Sequence, residues 1–244
     1  MQQTLLALLA LTMSTSGVAQ SVFEERDGLL VIELESASPL PENWIAGPVG
    51  NPTSPNINDP SAFTGRGFIV WEGQQFLGNP GNGEIVFTVA INNPGTYRLQ
   101  WRNQVGRGTN TTDHNDTWLK IDADSFFAQR NASIVCPKGF DPLVNSCVGG
   151  QPNGSGSSGW FKVYSSGASS WSFSTRTSDN DAHNIFARFD QADIYTLRLS
   201  ARSSSHVIDR LVLSRDDYVG DPTDLTLPES PRIDLDAVFL DGFE

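Results

Sequence analysis

The sequence predicts an all-β fold, an antiparallel β-sandwich with a disulfide-pinned loop and an acidic C-terminal tail. Nine or ten short β-rich runs are separated by turn signals, the pattern of a sandwich. No stretch shows convincing helical periodicity with caps. Hydrophobic residues make up 38% of the 244 residues and aromatic residues 10%, which is sufficient for a packed core.

Residues 1–20 are predicted to be a secretory signal peptide outside the fold. An apolar run at 5–11 is followed by small residues that include Gly17 and Ala19, as in a signal with its cleavage site. The run is shorter than the ~20 apolar residues that cross a bilayer, so we expect no membrane span. No Lys or Arg precedes it, and a buried N-terminal helix is the alternative. A signal would place the protein outside the cytoplasm, either extracellular or periplasmic.

The predicted strands place the sandwich domain at residues 21–214. They occupy residues 29–35, 68–71, 84–91, 96–102, 117–122, 160–164, 171–175, 184–189, 195–201 and 207–213. Within 96–102, Tyr97, Leu99 and Trp101 alternate with polar residues, so we expect these three side chains in the core.

A long loop interrupts the strands between residues 136 and 159. It contains both cysteines of the chain, Cys136 and Cys147, and is rich in Gly, Pro and Asn. In an oxidising compartment we expect a disulfide between them, which would stabilise the fold by roughly 2–3 kcal/mol. The loop is predicted to be an insertion at one end of the sandwich.

The net charge of −12 is concentrated in residues 215–244. Asp and Glu number 28 in the whole chain against 16 Lys and Arg, and this segment holds nine of the acids and two of the bases. We expect it to be an extended, partly disordered tail. The shortage of bases argues against nucleic-acid binding and against docking on anionic lipid.

Three segments resemble the galactose-binding-like jelly rolls, especially carbohydrate-binding module families 6 and 35. Residues 31–36 (Val-Ile-Glu-Leu-Glu-Ser) resemble the opening Glu-Ala-Glu strand of these modules. Residues 95–102 are similar to their Gly-x-Tyr-x-Leu-x-x-Arg strand, and residues 207–213 resemble their closing Ile-Asp strand. The resemblance implies a jelly-roll sandwich that binds a glycan or polysaccharide.

The resemblance also implies a structural Ca²⁺ bound by Glu33, Glu35 and Asp209 together with backbone carbonyls. Glu33 and Glu35 have the same parity on one predicted strand, so both carboxylates point to one side. Carboxylate oxygens are the hard ligands that Ca²⁺ prefers. The alternatives are two solvated edge-strand acids, or pairing of Glu33 and Glu35 with Arg210.

Sugar binding needs an aromatic face and planar polar groups that bond hydroxyls. Core packing is the alternative role for each Trp, and an ion pair is the alternative for Arg102 and Arg202. The candidate ligand-binding residues are Trp71, Arg102, Asp116, Trp118, Trp171, Arg202 and His206.

No sequence motif requires catalysis. The three histidines are scattered, and neither a His-x-x-x-His nor a Gly-x-Ser-x-Gly motif occurs, so no catalytic residue is predicted. The predicted function is a secreted, non-catalytic carbohydrate-binding module with a structural calcium. One alternative is a cell-surface or matrix interaction protein in which the sandwich is a scaffold. The other is a small polysaccharide hydrolase or lyase that uses His114 and Asp116.

Overall fold

The computed structural model confirms the predicted all-β sandwich. It describes residues 21–37, 39–47, 57–142, 146–147, 149–153, 155–165 and 169–234. The predicted signal peptide and residues 235–244 of the predicted tail lie outside this range. Within the described part of the chain, no helix is long and apolar enough to cross a membrane.

Fifteen strands and one short 3-10 helix make up the described secondary structure. The strands are β1 (Ser21–Glu24), β2 (Leu29–Glu33), β3 (Trp44–Ala46), β4 (Ile69–Trp71), β5 (Ile85–Ile91), β6 (Gly95–Val105), β7 (Asp116–Asp122), β8 (Ser125–Arg130), β9 (Ser133–Pro137), β10 (Gln151–Asn153), β11 (Phe161–Tyr164), β12 (Asn184–Phe189), β13 (Asp193–Ser200), β14 (His206–Arg215) and β15 (Arg232–Asp234). The 3-10 helix spans Leu34–Ser36, directly after β2.

The strands form two sheets. One has the order β11-β7-β13-β5-β1-β15, and the other runs β10-β9-β8-β12-β6-β14-β4-β3, with β2 also paired to β14. Pairing is antiparallel except between β1 and β5 and between β9 and β10. Six strands were not predicted from the sequence: β1, β3, β8, β9, β10 and β15. Three of these, β3, β10 and β15, have only three residues, too few for a period of two to be recognised.

The core lies between the sheets and draws on both. Phe87 and Leu197 come from the first sheet, whereas Tyr97, Leu99 and Trp101 come from the second, and all five are at most 2% exposed. The predicted inward face of β6 is therefore confirmed. The strand predicted at 171–175 is not formed. This segment contributes only an isolated bridge between Ser172 and Asn103.

The predicted disulfide between Cys136 and Cys147 is present, with the two Cα atoms 5.9 Å apart. It connects the end of β9 to the segment that leads into β10, and β9 and β10 pair with each other. Gly150 packs against both sulfur atoms, where a Cβ would come within 2.4 Å of Cys136 Sγ. The bridge therefore holds the predicted loop against the sheet.

The predicted tail was extended and partly disordered, and its residues 215–234 are an ordered segment that packs on the sandwich. Strand β15 pairs with β1. Ser230 N donates to Val31 O at 2.8 Å, and Val31 N donates to Ser230 Oγ at 2.9 Å. Arg210 Nη2 donates to Leu227 O at 3.1 Å. Backbone hydrogen bonds therefore hold this segment on the sheet, and the net charge of a segment does not predict such bonds.

Candidate functional site

A polar cleft lies where several loops meet at one end of the sandwich. Two cavities of about 450 and 420 Å³ share Thr112, Asn115 and Lys162 in their linings. We call the two together the loop-end cleft. Its walls come from the loops after β4, β6 and β13, from β11, and from the turn before β12. The other lining residues are Gln75, Leu77, Thr111, Asp113, His114, Asp116, Tyr164, Ser165, Asp179, Asn180, Arg202 and Ser203.

Strand β11 presents two side chains to the cleft because residues two apart on a strand share a face. Lys162 Nζ lies 2.7 Å from Asp179 Oδ1 and 3.8 Å from Asp116 Oδ2. The same ammonium group lies 5.8 Å from the centroid of the Tyr164 ring. Burial, with the nearby Asp179 and Asp181, raises the pKa of Tyr164, so its phenol is neutral at physiological pH.

Asp116 and Arg202, two of the predicted ligand-binding residues, meet in the cleft as an ion pair. Asp116 is 4% exposed and accepts a 2.5 Å hydrogen bond from Ser203 Oγ. The Arg202 guanidinium carbon lies 5.0 Å from the centroid of the Trp118 ring. Trp118 is itself buried, and its Nε1 donates to Phe76 O at 2.8 Å. Trp118 therefore supports Arg202 from below and presents no open face to a sugar.

Two polar atoms at the cleft, Ser165 Oγ and Arg202 Nε, have no hydrogen-bond partner among the described residues. The Ser165 side chain lines the cleft and is 1% exposed, yet its Oγ is unpaired. Arg202 Nε is likewise buried and unpaired. A buried donor or acceptor without a partner costs about 1–3 kcal/mol, and such atoms beside a cleft are typical of places where a ligand supplies the missing bond.

The other predicted ligand-binding residues lie elsewhere. Trp71 is buried in the core against Trp44, with ring centroids 5.5 Å apart. Trp171 packs on Phe68 and lies over Arg102, which forms a buried ion pair with Asp209. The structure therefore contradicts a surface role for Trp71 and Arg102, because both residues are at most 5% exposed.

The structure also contradicts the ligand-binding role predicted for His206, because this residue is fully buried. Its ring nitrogens bond Thr117 Oγ1 at 2.8 Å and Asn103 Oδ1 at 3.1 Å. Burial lowers the pKa of His206 to about 4. The residue is therefore a neutral part of the core and does not reach the cleft.

The three predicted calcium ligands gather around one loop, although Glu35 lies in the 3-10 helix and not in a strand. Thr64 Oγ1 contacts both Glu33 Oε2, at 2.9 Å, and Asp209 Oδ2, at 3.0 Å. The backbone N–H groups of Arg66 and Gly67 donate to Glu35 Oε1. Gly65, which precedes Arg66, has φ +57°, and a Cβ there would come within 2.6 Å of Glu35 Oε1, which explains the glycine.

These carboxylates are only partly compensated. Glu33 pairs with Arg210, as one alternative predicted, and Asp209 pairs with Arg102 at 2.5 Å. Glu35 Oε2 is buried without a partner, and burial raises the pKa of Glu35 to about 7. Within the described part of the chain, no three His, Cys, Asp or Glu side chains are arranged as ready-made metal ligands. Oxygen chemistry and the unpaired Glu35 oxygen suit Ca²⁺, but side chains would have to rearrange to bind it.

The prediction missed most of the cleft, including Lys162, Tyr164, Ser165 and Asp179. Lys162 and Tyr164 share a face of a predicted strand, and that spacing is the signal that could have identified them. Asp179 is brought opposite Lys162 only by the turn before β12. His114, the candidate catalytic residue, does line the cleft, where its Nδ1 lies 2.7 Å from Ser204 O.

No protein-family model matches the chain, and no curated protein matches it. Among solved structures, a family 35 carbohydrate binding module from Clostridium thermocellum is 16% identical, with a TM-score of 0.35, over 80% of this chain and 98% of that one. The Podospora anserina GH26-CBM35 beta-(1,4)-mannanase is 12% identical, with a TM-score of 0.43, over 81% of this chain and 29% of the enzyme. A Paenibacillus sp. cycloisomaltooligosaccharide glucanotransferase complexed with cycloisomaltoheptaose is 16% identical, with a TM-score of 0.38, over 78% of this chain and 19% of that one. At these identities and TM-scores the likenesses carry no argument about ligand or activity.

Proposed function

We propose that this protein is a secreted, non-catalytic module that binds a glycan in the loop-end cleft. The observation that carries the proposal is a cleft lined by hydroxyl, amide and charged groups, with the Tyr164 ring in its wall and an unpaired Ser165 hydroxyl. Sugars are bound by such combinations, because hydroxyls need convergent donors and acceptors while C–H faces pack on aromatic rings. The three strand motifs that resemble carbohydrate-binding modules support the same function.

A glycan array followed by calorimetry tests the proposal. Tyr164→Ala is expected to weaken binding of the best glycan at least about tenfold, a factor equal to about 1.4 kcal/mol. Tyr218→Ala is the matched control, because Tyr218 is a half-buried tyrosine outside the cleft lining. Retention of no glycan by the wild-type protein, or equal losses in both variants, would refute a glycan site in this cleft.

The same preparation tests the non-catalytic part of the proposal. Asp116 is held by Arg202 and Ser203, so its carboxylate is committed to structural bonds. We expect no release of reducing sugars from any bound polysaccharide. Turnover that disappears in His114→Ala would instead support the hydrolase or lyase alternative.

We also propose that a Ca²⁺ ion binds at Glu33, Glu35 and Asp209. The unpaired Glu35 oxygen supports it, as does the lack of a cationic partner for this carboxylate among the described residues. Calcium at 100 times its dissociation constant would stabilise the fold by about 2.7 kcal/mol. Thermal unfolding in calcium and in EDTA should therefore differ for the wild type and for Glu84→Gln, but not for Glu35→Gln. No difference in the wild type would contradict the proposal.

Secretion is proposed from the disulfide and the apolar run in residues 5–11. Disulfides persist mainly in oxidising compartments. Expression of the full chain, followed by N-terminal sequencing of the exported product, should find cleavage near Ala19 or Gln20. Retention of an uncleaved chain inside the cell would contradict it.

A further inference from the structure

Arg98 and Arg176 differ from most arginines of this acidic chain in their lack of a carboxylate partner. Of thirteen arginines, ten form an ion pair with Asp or Glu. Among the described residues, Arg66, Arg98 and Arg176 form none, and Arg66 is fully on the surface, where water solvates its charge. Arg98 Nη2 donates to Asn184 Oδ1 at 3.4 Å, and Arg176 Nη1 donates to Thr175 O at 2.8 Å. In the described part of the chain, neither guanidinium group therefore has a carboxylate within ion-pair distance.

Two contacts place the two arginines near each other: Thr177, which follows Arg176, pairs with His183, and Asn184, which follows His183, accepts the hydrogen bond from Arg98. Arg98 lies on β6 between the core residues Tyr97 and Leu99, so its side chain is on the outer face of the larger sheet. Burial and the positive charge of Arg176 lower the pKa of Arg98. Arg98 Nε is buried and has no hydrogen-bond partner in the part of the chain that the structure describes. Two like charges and an unpaired buried donor reduce the stability of the fold unless an anion joins them.

An aromatic pair lies beside these arginines. Phe186 on β12 is the register partner of both Arg98 on β6 and Phe127 on β8. The rings of Phe127 and Phe186 stack with centroids 5.6 Å apart and planes 18° apart, and both side chains are half-buried. The sheet face therefore offers an apolar surface next to two cations.

Arg176 also lies next to the loop-end cleft. Tyr164 and Arg176 exchange two backbone hydrogen bonds, of 2.8 and 3.0 Å, as directly opposed antiparallel residues. Directly opposed side chains lie on the same face, and Tyr164 lines the cleft. Arg176 therefore lies beside the cleft without being part of its lining.

We propose that Arg98 and Arg176 form a second binding site, outside the loop-end cleft, for the carboxylate groups of an acidic polysaccharide. Guanidinium groups bind carboxylates through paired, charge-assisted hydrogen bonds, and the Phe127 and Phe186 edges contact the sugar carbons. The choice of a polysaccharide as the partner rests on the proposed glycan function, whereas the preference for an anion rests on these two arginines alone.

Binding to polygalacturonate and to the same polymer after methyl esterification tests the site. The two polymers share one backbone and differ in charge. At about 0.15 M salt the Debye length is about 8 Å, so repulsion from the overall negative charge is screened. The acidic polymer should bind at least tenfold more tightly than the ester, and higher salt should reduce this preference. Arg98→Gln and Arg176→Gln should each remove most of the preference.

Arg130→Gln is the matched control, because Arg130 is an exposed arginine that already pairs with Asp181. It should keep the preference for the acidic polymer, and all three variants should keep the binding of a neutral glycan in the cleft. Equal binding of the two polymers, equal losses in all three arginine variants, or equally tight binding of polyglutamate would each overturn the proposal. Loss of neutral-glycan binding in Tyr164→Ala reports on the cleft separately.

Discussion

Arg202 lies over Trp118, with its guanidinium carbon 5.0 Å from the ring centroid, and pairs with Asp116 at the edge of the cleft. The stack gives a buried tryptophan a role in presenting a polar group. It also explains why the sequence could associate Trp118 and Arg202 with a ligand site while misjudging which of them meets the ligand.

Arg202→Lys keeps the positive charge but removes the planar group that stacks on Trp118. We expect a loss of about 1 kcal/mol in the free energy of unfolding, the usual range for a cation–π contact, together with weaker glycan binding. Denaturant titration and calorimetry would measure the two effects. Arg130→Lys, in an exposed pair, should change neither; comparable changes in both variants would contradict the role of the stack.

The stability of the fold should depend on His206 between pH 6.5 and 4. The pKa of His206 is lowered to about 4 in the folded protein by burial, against about 6.5 in an unfolded chain. Its contribution is therefore complete above pH 6.5 and is lost as the pH falls towards 4, because the unfolded chain takes up the proton first.

Other buried groups act in the opposite direction over an overlapping range. Burial raises the pKa of Asp209 to about 6 and of Glu35 to about 7, so their contributions fall as the pH rises. We therefore expect to see the effect of His206 in the difference in free energy of unfolding between the wild type and His206→Gln. The free-energy gap should narrow by up to about 1.4 kcal/mol per pH unit below pH 6.5; a constant gap would contradict the assignment.

Truncation should separate the packed part of the C-terminal segment from its last residues. Deletion of 215–244 removes β15 and the bonds from Ser230 and Leu227 to the sandwich. We expect a loss of roughly 1 kcal/mol for each hydrogen bond removed, measured by thermal or denaturant unfolding. Deletion of 235–244 alone removes none of these bonds and serves as the control. Equal stability of the two truncated chains would contradict a structural role for 215–234.

The disulfide should affect binding as well as stability. Asp179 N donates to Ser155 Oγ at 3.2 Å, and Ser155 follows β10, which the Cys136–Cys147 bridge holds near β9. Replacing both cysteines by Ser should cost roughly 2–3 kcal/mol and weaken glycan binding, because Asp179 faces Lys162 across the cleft. Unfolding curves and calorimetry on the two forms would show both losses. Unchanged affinity in a destabilised variant would limit the bridge to a structural role.

The sequence predicted the sandwich because β-rich runs separated by turn residues can be recognised along the chain without knowledge of tertiary contacts. Tyr97, Leu99 and Trp101 show the signal at its clearest, since alternation on one long strand placed all three in the core. Strands of three residues carry too little pattern, so β3 and β15 were missed. The acidic composition of 215–234 predicted an extended tail, yet backbone hydrogen bonds are indifferent to that composition.

By itself, the sequence determined the fold class and the disulfide, because strand periodicity and the number of cysteines can be read along the chain. Only the tertiary structure decided the cleft. Lys162 and Asp179 are 17 residues apart. Asp116 lies at the start of β7 and Arg202 just after the end of β13, and these two strands pair in one sheet. Their contacts therefore depend on pairing between strands that are distant in sequence. Burial decided the rest: the same packing that forms the cleft encloses Trp71 and His206, and no pattern along the chain distinguishes an enclosed polar or aromatic residue from one that faces a ligand.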